Sequence, residues 1–223
     1  MLIPKVKICC IANMAEAMLA INAGAAAVGL VGQMPSGPGV ISDEKIAQIA
    51  RNIPTSIDSF LLTSETSAKG IIEHHQKVQT TTIQMVDELV EGTYAQIRRA
   101  LPKVKLVQVI HVIDEQSVEQ AAMVAREVDM LLLDSGNPYL AVKELGGTGR
   151  THNWKISQAI VQRVAIPVFL AGGLKTENVS RAIKQVQPYG LDLCSSVRTN
   201  GQLDGQKLAA FFQAVRRQEE KGA

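Results

Sequence analysis

The chain has no excess of charge of either sign and no long apolar stretch. Its 23 basic and 21 acidic residues leave a formal charge of +2, with the signs scattered rather than blocked. A nucleic-acid surface therefore has no electrostatic footprint here, and any bound anion is expected to be small. No segment reaches the length of a membrane span, and Met1-Leu2-Ile3-Pro4-Lys5-Val6-Lys7 lacks the apolar run of a secretory signal. These absences point to a cytoplasmic protein with neither a nucleic-acid nor a membrane partner. Cysteine is scarce as well. Cys9, Cys10 and Cys194 suit neither a disulfide framework nor the ligand spacing of a zinc site, and they read as free thiols in a reducing compartment. No low-complexity tract occurs, and 46% hydrophobic against 20% charged residues is the balance of an ordinary globular protein. With 223 residues the core forms most simply as a single domain over 1–223. No apolar seam separable from that core marks a subunit interface.

What the chain does have is a strict alternation of strand-like and helix-like runs. Val6-Lys7-Ile8-Cys9 reads as a strand, and 13–24 as a helix capped by Asn13 and ending near Gly24. A second strand at 26–31 leads through a Gly/Pro/Ser loop, 32–42, to a helix at 43–51 behind Ser42. Strands 56–62, 80–86, 104–112, 129–134, 167–170 and 191–195 follow, each leading to a helix: 65–75, 92–100, 115–127, 154–163, 176–186 and 204–217. Eight βα units require a parallel sheet with helical crossovers, and in this length they close into an α/β structure of the (β/α)8 TIM barrel type. An open doubly wound sheet is the alternative. It is disfavoured because the first strand runs into Cys10-Ile11-Ala12-Asn13 rather than a GxGxxG turn, and no acid ends the second strand to hold a ribose.

A barrel gathers the C-terminal ends of its strands into one mouth, so those positions carry the candidate chemistry. Leu131-Leu132-Leu133-Asp134 places a carboxyl where a doubly buried strand leaves the core, and it needs either a partner or a water-filled mouth. Cys9 is either a small buried hydrophobe or a base, and a thiol is a competent base only where its surroundings favour the thiolate. Lys7, two positions earlier on the same face, supplies part of such a field. Gly172-Gly173 after the seventh strand, and Ser195-Ser196 after the eighth, stand where barrels commonly build a phosphate pocket from backbone amides. His111 ends the fifth strand, while His74-His75 are expected at a helix end, solvated or satisfying helix carbonyls; neither spacing makes a metal site. Trp154 is expected to anchor the return of the glycine-rich loop 136–152 by packing.

Taken jointly and in order, several pieces resemble the phosphoribosylanthranilate isomerase family over nearly the whole chain. They are Val6-Lys7-Ile8-Cys9, Leu131-Leu132-Leu133-Asp134, Gly146-Gly147-Thr148-Gly149 with Trp154, Pro167-Val168-Phe169-Leu170-Ala171-Gly172-Gly173-Leu174 with Glu177-Asn178-Val179, and Leu191-Asp192 before Ser195. The resemblance implies an Amadori rearrangement of a phosphorylated aminoaldose to an aminoketose, without cofactor or metal. Asp134 would be the general acid and Cys9 the base. Lys7, Gly172, Gly173, Asp192, Ser195 and Ser196 would hold the phosphorylated substrate. The chain departs from the family at the mouth. Cys10-Ile11-Ala12 stands where the family has Gly and Ile-Thr, and Ser36-Gly37-Pro38-Gly39 replaces a loop whose arginine holds the anthranilate carboxylate. Gln84-Met85-Val86-Asp87 replaces Gln-Leu-His-Gly, and Ser195-Ser196-Val197-Arg198 replaces Ser-Gly-Val-Glu. Arg198 is the expected replacement for the missing arginine, with Arg150 second. An isomerase acting on another phosphorylated sugar, or a catalytically silent barrel that binds a phosphometabolite or a partner protein, remain the alternatives.

Overall fold

The computed structural model describes residues 3–137, 139–140, 143–146 and 149–220. Met1, Leu2, Gly147 and Thr148, named above, lie outside the described residues. Among those described, β1 (Lys5–Ile8), β2 (Ala27–Val31), β3 (Asp58–Thr63), β4 (Thr82–Met85), β5 (Lys105–His111), β6 (Met130–Asp134), β7 (Val168–Leu170) and β8 (Gly190–Leu193) pair in parallel and in sequence order, and β8 returns to β1 to close a barrel. The helices α1 (Met14–Ala23), α2 (Asp43–Asn52), α3 (Ala68–Val78), α4 (Tyr94–Ala100), α5 (Gln116–Val124), α6 (Trp154–Arg163), α7 (Val179–Val186) and α8 (Gly205–Glu220) alternate with them. No helix among the described residues is long and apolar enough to cross a membrane.

Strand alternation sorts the side chains into two apolar layers. Val6, Ile8, Leu131 and Leu133 join the helices in the outer layer, whereas Cys9, Val107, Val109, Met130 and Leu132 fill the barrel interior. Lys7 also points inward. Fully buried, it lies opposite Asp192 in the β1–β8 register, makes an ion pair with it at 2.9 Å, and sits 5.2 Å over the Phe60 ring. Side-chain caps open most helices: Asn13, Ser42, Ser67 and Thr93 each accept a hydrogen bond from an N–H three residues on.

Three local expectations change. β8 ends at Leu193 instead of Ser195, because Ser195–Val197 turns into a 3-10 helix and leads to a small antiparallel pair, β9 (Arg198–Thr199) with β10 (Gln202–Leu203). Asn200 and Gly201, at φ 51° and 78°, form the left-handed turn that this hairpin needs. α7 opens at Val179, later than 176, since Asn178 Oδ1 accepts from the Lys175 N–H at 2.9 Å while its Nδ2 donates to the Gly173 carbonyl, forming a turn first. His74 and His75 are buried rather than solvated. His74 bridges Thr63 Oγ1 (2.9 Å) and Asp43 (3.1 Å), and His75 Nε2 donates to the Thr80 carbonyl at 2.7 Å.

Candidate active site

The strand ends open into a cavity of about 300 Å³, large enough for a small metabolite. Cys9 and Asp134 both line it, from β1 and β6, far apart in sequence and brought together by closure of the barrel. Asp134 is buried, and that burial pushes its carboxyl above the usual carboxylate range. Nearby Asp192 adds to the rise, while the Ser135 N–H, His111 and Lys7 oppose it. A carboxyl so placed is suited to hold a proton and donate it. His111 lies opposite Asp134 in the β5–β6 register and donates from Nε2 to the Val86 carbonyl at 3.0 Å.

Cys9 is held by its N–H, which donates to the Leu193 carbonyl at 2.7 Å. Below it, burial lowers the Lys7 ammonium, but Asp192 and the sulfurs of Cys9 and Cys10 outweigh that and hold it above its ordinary value, so Lys7 stays cationic beneath the thiol. The structure corrects one part of the expectation for Lys7. It forms no part of the cavity wall; its partner Asp192 does, and Lys7 acts from below the floor. Sequence reasoning does not single out Gly29 in β2, yet a Cβ there would lie 2.9 Å from Cys9 Sγ and 3.2 Å from Lys7 Cε. Glycine at that position leaves the space that the thiol and the lysine occupy.

Gly172, Gly173, Ser195 and Ser196, which follow β7 and β8, line the stretch of wall between Asp134 and Cys9. The two glycines are consecutive left-handed residues, φ 77° and 60°, and a Cβ on Gly172 would lie 2.9 Å from Ser135 Oγ. Ser195 and Ser196 open the 3-10 turn, whose first N–H groups have no partner within the turn. Lys175, three residues after Gly172, also lines this wall and adds a cation that the sequence reading passes over. Most of the remaining wall is apolar, formed by Val31, Met34, Pro38, Leu62, Val86 and Leu145, with Gln84 and Ser36 as its polar members. Gly146 and Gly149 line the cavity as well, and a Cβ on Gly146 would lie 3.0 Å from Asp134 Oδ2.

Arg198 is not where the sequence expectation put it. Its guanidinium forms an ion pair with Glu16 at 3.0 Å, donates to the Gly201 carbonyl at 2.9 Å, and reaches the backbone carbonyls of Cys9 (3.3 Å) and Cys10. Glu16 in turn accepts from the N–H groups of Ala12 and Leu203, both at 3.0 Å. Arg198 therefore clamps the segment after β1 to the β9–β10 hairpin from outside the cavity, with both faces of its fork engaged. Arg150, the second candidate, is ion-paired with Glu144 in its own loop and is also absent from the cavity wall. Trp154 packs in the outer core under Arg181, 5.1 Å from its ring, as a loop anchor would.

The model of the N-(5'-phosphoribosyl)anthranilate (PRA) isomerase family matches residues 6–214. An N-(5'-phosphoribosyl)anthranilate isomerase 2 from Methanosarcina mazei is 33% identical over 209 residues, covering 93% of this chain and 92% of that protein. The crystal structure of phosphoribosyl anthranilate isomerase from Thermotoga maritima superposes with a TM-score of 0.78 at 25% identity, over 96% of this chain and 99% of the other. A further phosphoribosyl anthranilate isomerase structure, a complex with reduced 1-(o-carboxyphenylamino)-1-deoxyribulose 5-phosphate, has a TM-score of 0.76 at 24% identity, with 96% and 99% covered. The chain belongs to the N-(5'-phosphoribosyl)anthranilate isomerase family.

Proposed function

We propose that this chain acts as a single barrel domain in the cytoplasm and converts N-(5'-phosphoribosyl)anthranilate to 1-(2-carboxyphenylamino)-1-deoxyribulose 5-phosphate by acid–base catalysis. The observation that carries the reading is the placement of Cys9 and Asp134 on one cavity, with a glycine- and serine-lined wall between them. The phosphate binds at Gly172, Gly173, Ser195 and Ser196, and Lys175 contributes charge. The anthranilate ring lies against the apolar wall around Met34, Leu62 and Val86. This orientation leaves the ribose between the acid and the thiol.

Asp134, whose hold on its proton is strengthened by burial, gives that proton to the ribose ring oxygen. The ring opens to a protonated imine, which acidifies the C2 hydrogen. Cys9, with the Lys7 charge below it, removes that hydrogen, and the resulting enolamine tautomerises to the ketone. Both proton transfers use groups held on strand ends, so their geometry is set by the barrel rather than by a loop. The test is loss of anthranilate fluorescence when freshly generated N-(5'-phosphoribosyl)anthranilate meets the pure protein, coupled to the next enzyme of the pathway. The reading requires turnover; a folded protein that gives none contradicts it.

A further inference from the structure

All three cysteines of the chain meet in the barrel mouth. Cys9, Cys10 and Cys194 belong to the interior cluster and line the same cavity. The β1–β8 register pairs Ile8 with Leu193, so the next step sets Cys9 beside Cys194. By strand alternation Cys10 would point away from the mouth. Its left-handed backbone, φ 61°, turns it back toward the cavity, where its Sγ donates to the Pro38 carbonyl at 3.6 Å and neighbours Cys194. The register that sets Cys9 beside Cys194 leaves Cys10 one residue further along the same wall, and a disulfide needs the two Cα atoms within about 7 Å.

We infer that Cys10 and Cys194 form an oxidation site at the mouth of the barrel, a dithiol that a hydroperoxide closes to a disulfide. The two thiols are not equivalent. Cys194 neighbours Cys10 and feels the Arg198 and Lys7 charges, which together draw its thiol down against burial and the Asp192 charge, whereas the adjoining sulfurs and burial push Cys10 up. Cys194 is also the more exposed of the pair. It is thus the thiolate that attacks first. Its sulfur takes the terminal oxygen of the peroxide, the O–O bond breaks, and the departing oxygen is protonated to water or an alcohol. Cys10 then attacks the sulfenic sulfur; the S–S bond forms, the S–O bond breaks, and hydroxide leaves with the Cys10 proton as water. Two thiols lose two electrons and one peroxide gains them. The bridge ties the segment after β1 to the segment after β8 beside Cys9.

The test uses the full chain. After treatment with hydrogen peroxide, remaining thiols are alkylated at low pH and the digest is mapped by mass. The expected product joins the peptide carrying Cys9 and Cys10 to the peptide carrying Cys194, lighter by a pair of hydrogens than the two apart and separated again by dithiothreitol. The link persists in Cys9→Ser and disappears in Cys10→Gly and in Cys194→Ser. Cys10→Gly suits the left-handed backbone, and circular dichroism checks that each variant folds. A link that survives in Cys10→Gly, or peroxide-treated protein in which Cys10 and Cys194 both remain alkylatable, overturns the inference. This mapping needs no isomerase activity and so fails independently of the proposed function.

Discussion

Arg198→Ala separates two roles for one cation. If the guanidinium held the substrate carboxylate, its loss would raise KM and leave the fold alone. The structure instead commits it to Glu16 and to the carbonyls of Cys9, Cys10 and Gly201, and the two charged side chains are only 9% and 12% exposed. Breaking a buried ion pair by removing one partner costs about 3–5 kcal/mol. The pair sits at the rim of the barrel, so the lower end, about 3 kcal/mol, applies; for a chain of this size it corresponds to a fall in Tm of roughly 6–12 °C. The cost depends on pH in a defined direction. Burial pushes the Glu16 carboxyl up, but hydrogen bonds from Arg198 and from the Leu203 and Ala12 N–H groups outweigh it and hold the carboxyl below its ordinary value. Its contribution is therefore complete above the unfolded carboxylate range and is lost as pH falls through the lower folded value. Urea or thermal unfolding of wild type and Arg198→Ala at neutral and acid pH, with KM measured on the same preparations, reads both effects. The expected result is a destabilised variant with near-wild-type KM and a smaller stability gap at acid pH. A raised KM with unchanged Tm would refute the clamp.

Three further outcomes follow from the site. Burial raises the Asp134 carboxyl, so between the unfolded and folded values the native state holds the extra proton and stability falls as pH rises through that window; Asp134→Asn should raise Tm at neutral pH but not at pH near the unfolded carboxylate value of about 3.9, while kcat drops roughly 10²–10⁴-fold. Equal Tm shifts at both pH values would count against the burial argument. Gly29→Ala would force Cys9 Sγ from a Cβ only 2.9 Å away, and an ångström of misplacement costs about 10² in rate; an unchanged kcat in steady-state assays would show that the thiol has room to spare. Lys7→Met leaves Asp192 buried without its cation and should cost about 3–5 kcal/mol in urea unfolding, most of it recovered in Lys7→Met with Asp192→Leu. Strictly additive losses in the double variant would contradict a coupled pair.

The barrel is legible in the sequence because each unit states its own period: three leucines before Asp134 mark a doubly buried strand, and Asn13 and Ser42 cap helices where a side-chain oxygen can reach an N–H three residues on. The Cys9 and Asp134 placement is legible for the same reason, since alternation turns each of them inward and the C-terminal ends of barrel strands open at the mouth. What stays hidden depends on contacts across the chain. Arg198 is adjacent in sequence to the phosphate wall, and nothing local reveals that Glu16, 182 residues away, captures it. Gly29 looks like an ordinary strand glycine until β2 is set beside β1. The β9–β10 hairpin did leave a local mark, the Asn200-Gly201 pair, which outranks the weaker strand pattern running through Ser195. His74 and His75 sit near the end of α3 as expected, yet Asp43 from the preceding helix and the Thr80 carbonyl bury them.

Catalysis turns on the thiol of Cys9 removing the C2 hydrogen of a substrate anchored at the ends of β7 and β8. Steady-state kinetics of Cys9→Ser on N-(5'-phosphoribosyl)anthranilate test it most directly, because the hydroxyl keeps the shape of the side chain and discards the acidity of the thiol. The account predicts that kcat falls by about 10²–10⁴ with KM close to wild type. A variant that turns over at the wild-type rate would contradict it.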